Sequence, residues 1–355
     1  MLEKGWLGGG NTGRNTTIIR SNYLWDQSAH LYEHALKLYE GLSQDLNFNI
    51  MLSQRGVLNL AHNLQDLREL SRRVNEIRLN GIDSEILSPE QIKEMVPILN
   101  TSSDSRYPIL GASLQRRGGV ARHDAVAWGL ARGADALGVD IIQNCEVTGI
   151  RMQEGRIAGV ETSRGFIEAG KVGVVVAGHA SVLAEMAGFR LPLESHPLQA
   201  LVSEPIKPIH HCVVMSNAVH VYVSQSSRGE LVAGASLDPY ELISSRSTLD
   251  FAESMSGHLL DLFPCLPQVN VLRQWAGMCD MTPDFSPIMG LTPIEGFYLD
   301  SGWGTWGFKA TPISGKTMAF TLANNRDHDL IEAFNLSRFE RCQLVGEKGA
   351  ASVGH

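Results

Sequence analysis

The spacing of apolar residues along the first third of the chain predicts several helices. Leucine and alanine recur at intervals of three and four residues from Ser28 to about Leu46, which predicts an amphipathic helix. The same periodicity predicts a second helix over residues 63–79, ended by Gly81. In the segment "SPEQIKEMVP" a capping-box pattern with proline in the first turn predicts a third, short helix. The segment "HDAVAWGLARGADALGV" predicts a fourth.

The rest of the chain is richer in predicted strands. The stretch after the fourth helix reads as a meander of short strands, with turns at Glu154-Gly155 and Arg164-Gly165. It closes on the apolar run Val172 to Ala177, typical of a buried parallel strand. Residues 190–290 are β-rich, and near the C-terminus a strand, "GFYLD", precedes a glycine-rich turn and the helix "ISGKTMAFTLANN".

This order of elements predicts an α/β protein of the two-domain α+β type. Nucleotide-binding elements at both ends, interrupted by β-rich segments, indicate a Rossmann-like domain interleaved with an antiparallel-sheet substrate domain. We expect residues 1–47, 119–188 and 288–355 in the first domain, and residues 48–118 and 189–287 in the second.

Composition and charge exclude several classes of protein. A net charge of −8 argues against nucleic acid and anionic membranes as partners. No apolar run approaches 18 residues, and no signal peptide is visible at the start. The five cysteines are scattered without a C-x-x-C spacing, which predicts a cytoplasmic protein without a metal site.

The segment "GGGNTG", residues 8–13, matches the dinucleotide-binding pattern G-x-G-x-x-G. The seven residues before it form a poor buried strand, and those after it carry no helical stripe, so we reject that interpretation. We instead expect Glu3 to end a second parallel strand and to bind the adenosine ribose. The pyrophosphate-binding strand, turn and helix are then expected upstream of Met1. An ordinary surface turn is the alternative.

A second glycine-rich segment, "SGWGTWGFKATP", lies between a predicted strand and a predicted helix. Its glycines allow the backbone to approach a planar ligand, and a helix N-terminus together with Lys309 suits the anionic edge of a reduced flavin. A plain strand–turn–helix connection is the alternative. Arg20 and Lys309 each lie beside a glycine-rich loop, and as a pair they would hold a carboxylate substrate, whereas singly each is typical of a surface charge.

His123 follows a small-residue loop and stands near a helix start, where a base, a ligand or a covalent tether is conceivable. A structural or solvated histidine is the competing interpretation.

Together these segments resemble the D-amino-acid-oxidase-like, FAD-dependent oxidoreductases, and among them the heterotetrameric sarcosine oxidase family. The resemblance rests on "LEKGWLGGGNTGRNTTIIRSNY", "GGVARHDAVAWG", "VVVAGHAS", "MCDMTPDFSPIMG" and "SGWGTWGFKATP". Two departures from the monomeric enzymes favour the heterotetrameric type. Thr17 stands where the monomeric motif has a second arginine, and no cysteine occurs between Cys279 and Cys342 for attachment of FAD.

The resemblance implies a noncovalent FAD and a second flavin, FMN, attached covalently to His123. It implies Arg20 and Lys309 as catalytic, carboxylate-binding residues. Contacts with FAD are implied for Glu3, Asn11, Arg14, Thr16, Val147, Gly304, Gly307 and Lys309.

The implied reaction is oxidative demethylation of sarcosine by oxygen, giving glycine and hydrogen peroxide. The methyl carbon leaves as formaldehyde or as methylene-tetrahydrofolate, on an α subunit. The implied partners are α, γ and δ subunits.

Two other interpretations stay open. One is a related FAD-dependent dehydrogenase or oxidase for dimethylglycine or D-amino acids, without FMN. The other is an inactive truncated fragment or an assembly-only subunit.

Overall fold

A computed structural model describes residues 1–346, so residues 347–355 of the predicted first domain lie outside the described residues. The α-helices are α1 Asp26–Asp45, α2 Leu64–Leu79, α3 Pro89–Met95, α4 His123–Ala136, α5 Ala180–Met186, α6 Leu249–Leu262 and α7 Gly307–Asn324. Short 3-10 helices cover Asn11–Arg14, Asp329–Phe334 and Leu336–Arg338.

The strands are short, and most belong to one large sheet. They are β1 Ile18–Ile19, β2 Val57–Ala61, β3 Glu85–Leu87, β4 Gly111–Gln115, β5 Gly119–Val120, β6 Val147–Gln153, β7 Arg156–Thr162, β8 Gly165–Glu168, β9 Val172–Val174, β10 Glu194–Pro205, β11 Val213–Ser216, β12 Val221–Gln225, β13 Glu230–Leu237, β14 Val271–Met281, β15 Ile288–Leu291 and β16 Phe297–Ser301.

The large sheet has eight strands in the order β14-β10-β13-β12-β11-β2-β4-β3. All its pairings are antiparallel except β11 with β2, which is parallel. One face carries Leu58, Leu60, Val214 and their neighbours, and packs against α3 and α6 as the largest core cluster. The opposite face carries Val57, Val213 and Met215, packed against Ile18, Val120 and Tyr222. This second face therefore meets the N-terminal segment of the chain.

The smaller sheets contain the parallel pairing expected of a nucleotide-binding fold. In the sheet β15-β16-β9, strand β16 pairs with β9 in parallel. A separate parallel bridge joins Leu2 to Ile142, and the Glu3 backbone N–H donates to the Ile142 carbonyl at 2.9 Å. Strands β6, β7 and β8 form the predicted meander, with positive φ at Glu154 and Gly155 in its first turn.

Local signals placed the first helices accurately. Helix α1 begins at Asp26, close to the predicted Ser28, and α2 is capped by the Asn63 side chain, which accepts from the Asp66 backbone N–H. At the start of α3 the Ser88 hydroxyl accepts from the Gln91 backbone, and the Gln91 side chain accepts from the Ser88 backbone. These predictions are confirmed.

Two predicted elements differ in extent. Strand β9 ends at Val174, and Val175 is 59% exposed, because β9 is an edge strand with β16 on one side. Helix α7 begins at Gly307 and not at the predicted Ile313, so Pro312 lies inside the helix. Proline removes the backbone donor that would reach the Phe308 carbonyl, and the Tyr39 hydroxyl donates to that oxygen at 2.5 Å instead.

Candidate active site

A cavity of about 400 Å³, here called the central cavity, lies between the second face of the large sheet and the two glycine-rich segments. The N-terminal segment contributes Asn11, Thr12, Arg14, Thr16 and Arg20, the sheet contributes Met215, Tyr222 and Cys279, and the C-terminal segment contributes Trp303, Gly304, Trp306, Gly307 and Lys309. The rejected fingerprint segment thus forms a turn and a 3-10 helix at this cavity, not the start of an α-helix.

Arg20 and Lys309 bring two buried basic side chains to the central cavity. Arg20 is 4% exposed and Lys309 is 8% exposed. Burial and the nearby Arg20 charge hold the pKa of Lys309 well below its usual value. Within residues 1–346, neither forms a salt bridge with a carboxylate: Arg20 donates to the Asn22 side chain at 2.8 Å, and Lys309 to the Thr305 carbonyl at 3.4 Å. Because buried charges are normally paired, this arrangement indicates an anion-binding site.

Local pairing fixes the position of Arg20. Strand β1, directly before it, pairs with β5 in antiparallel register, and the Ser21 backbone N–H donates to Gln115 at 2.9 Å. Gly119 in β5 allows the segment at Ser53, which bridges to Val120, to approach β5, because a Cβ at Gly119 would lie 2.0 Å from the Ser53 carbonyl oxygen. The arginine is therefore held by backbone structure on both sides.

The loop from Gly302 to Trp306 is shaped by glycine and by a buried carboxyl group. Gly304 has a φ of +51° and donates its N–H to the Asp280 carbonyl at 3.0 Å. The Asp300 side chain accepts from Ser314 at 2.5 Å and from the Trp303 indole. Burial raises the pKa of Asp300 to about 6, against the effect of those two hydrogen bonds.

The surroundings of this loop fit a flavin. Helix α7 begins at Gly307 without an acidic residue in its first turn, so its backbone N–H groups present partial positive charge to the cavity, which Lys309 also lines. The glycine backbone and the apolar side chains beside it leave room for a planar ring system. The donor set therefore suits the electron-rich edge of a reduced isoalloxazine.

The other N-terminal residues predicted to bind FAD line the same cavity, but their side chains are partly engaged within the protein. Asn11 exchanges hydrogen bonds with the Met278 backbone, and Arg14 donates to the carbonyls of Gly9 and Gly10 at 2.7 and 2.8 Å. The Thr16 hydroxyl is hydrogen-bonded to Tyr222. In this part of the site, backbone groups and the shape of the cavity are therefore what is left to bind a cofactor.

Glu3 and Val147 lie together but outside the lining of the central cavity. The Cys145 backbone N–H donates to the Glu3 carbonyl at 2.9 Å, and Val147 begins β6 directly afterwards. The Glu3 carboxylate accepts a hydrogen bond from the nearby Gly5 backbone N–H at 2.8 Å. The structure therefore groups the two predicted nucleotide contacts with each other.

His123 is the first residue of α4 and is separate from the central cavity. Its Nδ1 is buried without a hydrogen-bond partner among the described residues, and burial lowers its pKa. A shallow depression beside it is lined by Phe48, Met51, Arg122, Asp124, Ala125 and Trp128. Arg122 and Asp124 form a salt bridge at 2.8 Å, while the Trp128 side chain is 52% exposed.

Sequence reasoning missed the part of the cavity formed by the large sheet. Met215, Tyr222 and Cys279 line it, but each sits in a strand that pattern alone could not orient. Alternation in β12 was the available signal, because Tyr222 lies between two valines that face the core.

Comparison with known proteins decides the family. The profile of the DAO family, described as FAD dependent oxidoreductase, matches residues 1–321. The chain belongs to this family of FAD-dependent oxidoreductases. It is 55% identical to the sarcosine oxidase subunit beta of Arthrobacter sp, over 100% of this chain and 88% of that protein. It is 53% identical to the subunit of the same name from Rhodobacter capsulatus, over 100% and 85%.

Solved structures show the same fold. The L-proline dehydrogenase of P. horikoshii superposes with a TM-score of 0.90 at 26% identity, covering 96% of this chain and 91% of that one. The glycine oxidase of Geobacillus kaustophilus gives 0.86 at 20% identity, covering 95% and 91%. The mixed α/β architecture predicted from the sequence is confirmed. Within residues 1–346, no helix is long and apolar enough to cross a membrane.

Proposed function

We propose that this chain is the β subunit of a sarcosine oxidase and that it oxidises sarcosine, N-methylglycine, in the central cavity. The observation that carries the proposal is the pair of buried basic side chains, Arg20 and Lys309, which have no acidic partner within residues 1–346. An amino-acid carboxylate supplies that missing charge. The relatives named sarcosine oxidase subunit beta, 53–55% identical over nearly the whole chain, support the choice of substrate.

The proposed cofactor of the central cavity is noncovalent FAD, which when bound accepts two electrons from the carbon–nitrogen bond of the substrate. Gly304, Gly307 and Lys309 would hold the flavin ring, together with Asn11, Arg14 and Thr16, which line the same cavity. Glu3 and Val147 would contact the nucleotide end. This assignment rests on the family and on the cavity lining.

The chain's own residues then bind and orient the substrate. Arg20 holds the carboxylate through its guanidinium, and Lys309 takes up a proton and pairs with the same carboxylate once it binds. The substrate amine is oxidised in its unprotonated form, so no strong protein base is required. We propose glycine as one product, with the methyl carbon leaving as formaldehyde or as methylene-tetrahydrofolate and the electrons passing to oxygen as hydrogen peroxide.

We further propose that FMN is attached covalently to His123 and that α, γ and δ subunits assemble with this chain. The support is the unpartnered Nδ1 of His123, kept neutral by burial, beside the exposed side chains of Met51 and Trp128. A neutral imidazole nitrogen is the form that bonds to a flavin. Exposed apolar side chains such as these are typical of a surface that a partner subunit covers.

Retention of yellow flavin after acid precipitation tests the attachment, using enzyme co-expressed with its partner subunits. We expect His123→Ala to lose the acid-stable flavin. His34→Ala should keep it, because His34 is exposed and its ring hydrogen-bonds only within its own helix. Acid-stable flavin in the His123→Ala protein would contradict the assignment.

The proposed domain division follows the large sheet. Its strands come from residues 48–118 and 189–287, which we propose as the substrate domain, and residues 1–47, 119–188 and 288–355 form the proposed FAD domain. We also propose a cytoplasmic location, in keeping with free cysteines throughout residues 1–346.

Substrate preference tests the main proposal. The assembled enzyme should show its highest kcat/KM with sarcosine among sarcosine, dimethylglycine, D-alanine and L-proline, with formaldehyde and hydrogen peroxide measured separately. A higher kcat/KM for dimethylglycine or for a D-amino acid would favour the other amine oxidoreductases of the family.

A further inference from the structure

The residue that follows Arg20 is held in place from two sides of the protein. Ser21 is buried, and its backbone N–H donates to the Gln115 side-chain oxygen at 2.9 Å. The Gln115 amide donates to the Ser21 hydroxyl at 2.7 Å, and that hydroxyl donates to the Glu33 carboxylate at 2.7 Å. Gln115 belongs to β4 of the large sheet and Glu33 belongs to α1. Ser21 therefore joins the sheet to the helix directly beside the arginine that lines the central cavity.

A second set of contacts closes this arrangement into a ring of hydrogen bonds. The Arg117 guanidinium donates to the other carboxylate oxygen of Glu33 at 2.6 Å. The Arg117 backbone N–H donates to Asp83 at 2.9 Å, and Asp83 also accepts from the Gln115 amide at 3.3 Å. Glu33 and Gln115 are both buried. The two side chains that contact Ser21 thus have further partners that fix their directions.

The ion pairs of Glu33 show why this buried carboxylate does not neutralise Arg20. Within residues 1–346 it pairs with Arg117 at 2.6 Å and with Lys37 at 3.7 Å, so its charge is compensated by other cations. The Arg20 guanidinium donates to the Asn22 side chain at 2.8 Å and stays available for a ligand. The ring fixes the residue between Arg20 and Asn22, and with it the segment that carries the guanidinium.

We propose that Glu33 and Gln115 are positioning residues, which hold Ser21 and through it direct the Arg20 guanidinium at the substrate carboxylate. The inference rests on the proposed function and deepens it, because it names residues that set the affinity for a short amino acid with a free carboxylate. A binding group is effective when neighbouring hydrogen bonds restrict its orientation. Loss of the ring should therefore leave Arg20 at the cavity but weaken its hold on the carboxylate.

The experiment measures acetate binding and sarcosine turnover in the flavoenzyme assembled with its partner subunits, with acetate followed by the perturbation of flavin absorbance. Glu33→Gln keeps the size of the side chain but removes the negative charge of the group that accepts from Ser21. Gln115→Leu removes both contacts between Ser21 and the sheet. We expect each variant to weaken acetate binding about 10-fold, the effect of one or two lost hydrogen bonds. In both variants KM for sarcosine should rise more than kcat falls, which a loss of stability alone would not produce.

The exposed side of Arg117 offers matched controls. Glu40 accepts from two guanidinium nitrogens of Arg117 at 2.9 Å, and the Gln54 amide donates to the Arg117 carbonyl at 2.7 Å. Glu40→Gln and Gln54→Leu are the same chemical changes beside the same arginine, but neither side chain bonds to Ser21. Both variants should bind acetate like the wild type, whatever their effect on stability. If they weaken binding as much as the first two variants do, the effect belongs to Arg117 and the inference is wrong.

A double-mutant cycle tests whether Glu33 acts through Ser21. Ser21→Ala removes the hydroxyl that joins Glu33 to Gln115, and it should weaken acetate binding about 10-fold. Adding Glu33→Gln to Ser21→Ala should weaken binding by less than about two-fold more, because the contact is already lost. A full further loss of about 10-fold would show that Glu33 acts by another route, and would contradict the inference.

The outcomes distinguish this inference from the proposed function on which it rests. If the wild type binds acetate and oxidises sarcosine but Glu33→Gln or Gln115→Leu raises the acetate Kd less than about three-fold, the inference is wrong and the proposed function stands. If the wild type does neither, the proposed function itself fails. Should either variant not fold, Ser21→Ala and Ser21→Thr decide by the same criterion: Ser21→Ala should raise the acetate Kd, and Ser21→Thr, which keeps the hydroxyl, should raise it less.

Discussion

Two buried arginines in this protein have opposite surroundings. Arg338, 1% exposed, donates to both carboxylate oxygens of Asp284 at 2.8 and 2.9 Å, and to the carbonyls of Phe334 and Ser286. Arg20 is almost as deeply buried, yet within residues 1–346 its guanidinium donates to the neutral side chain of Asn22 and not to a carboxylate, and the centroid of the Tyr23 ring lies 4.5 Å from its guanidinium carbon.

The difference between the two arginines distinguishes an ion pair that stabilises the fold from a charge that is available to bind a ligand. Burial alone would raise the pKa of Asp284, but the hydrogen bonds and the charge of Arg338, together with hydrogen bonds from Val345 and Thr282, outweigh burial and lower that pKa, so the pair is complete within the fold. Arg20 and Lys309 are left without a carboxylate among residues 1–346, and the protein carries that cost only where a ligand repays it. Breaking the first arrangement should change stability, whereas breaking the second should change binding.

The largest expected effect on stability comes from Asp284→Ala, which leaves Arg338 buried and uncompensated. We expect the free energy of unfolding to fall by about 3–5 kcal/mol in chemical denaturation. Asp329→Ala is the control, because that carboxylate is exposed and its pair with Arg326 spans 3.6 Å, so the loss should stay below about 0.5 kcal/mol. If Asp284→Ala lowers the free energy of unfolding by less than about 1 kcal/mol, the proposed difference between the two arginines is wrong.

The same experiment on the other arginine should give the reverse pattern. Arg20→Met removes the charge that we propose holds the substrate carboxylate, so kcat/KM for sarcosine should fall about 100-fold or more. The free energy of unfolding should be unchanged or higher, because a desolvated charge is replaced by an apolar side chain. Arg72→Met, at an exposed helical pair with Glu69, should alter neither quantity. A destabilised Arg20→Met protein with normal kinetics would contradict this prediction.

Asp300 extends the comparison to a buried acid without a cation. Its folded pKa of about 6 lies above its ordinary value of 3.8, because burial disfavours the charged form. Its contribution to stability is therefore complete below pH 4, is lost as pH rises to about 6, and is constant above that. The stability of Asp300→Asn relative to wild type should rise across this window by up to about 3 kcal/mol, measured by denaturation at each pH. A difference that does not vary with pH would show that Asp300 ionises normally.

The smallest predicted effect is the pH dependence of acetate binding. Free Lys309 has a lowered pKa because of burial and the Arg20 charge, whereas a bound carboxylate favours its protonated form. Binding is then coupled to proton uptake, so acetate affinity should fall by up to about 10-fold per pH unit above the pKa of free Lys309. Acetate titrations from about pH 6 to 9 measure the slope. Lys309→Met should bind more weakly but without the slope, and an unchanged slope in this variant would assign the titration to another group.

Local rules predicted the elements whose determinants are local. The boundaries of α2 followed from apolar periodicity and Gly81, the start of α3 followed from the Ser88 capping box, and the meander turn followed from Glu154-Gly155. The start of α7 did not, because the Tyr39 hydroxyl that satisfies the Phe308 carbonyl comes from a distant helix. Long-range hydrogen bonds of this kind leave no periodic pattern in the sequence.

The candidate site was predictable where residue type and neighbouring glycines agreed. Arg20 and Lys309 were paired from the sequence, and the structure brings them within electrostatic reach of each other. Met215, Tyr222 and Cys279 were missed, although the alternation in β12 was an available signal for Tyr222. Which side of the sheet faces the cavity depends on how the sheet packs, which only the fold supplies. The roles in cofactor binding and the domain boundaries stay predictions.

The single parallel pairing of the large sheet has a consequence for biosynthesis. Strand β2 emerges from the ribosome early, but its partner β11 follows about 150 residues later, a delay on the order of 10 s at ordinary elongation rates. During that delay the antiparallel pair of β2 and β4 keeps the β2 edge without its partner strand. Lys309, on α7, arrives later still. The cavity that we propose for FAD is therefore complete only near the end of translation or after release of the chain.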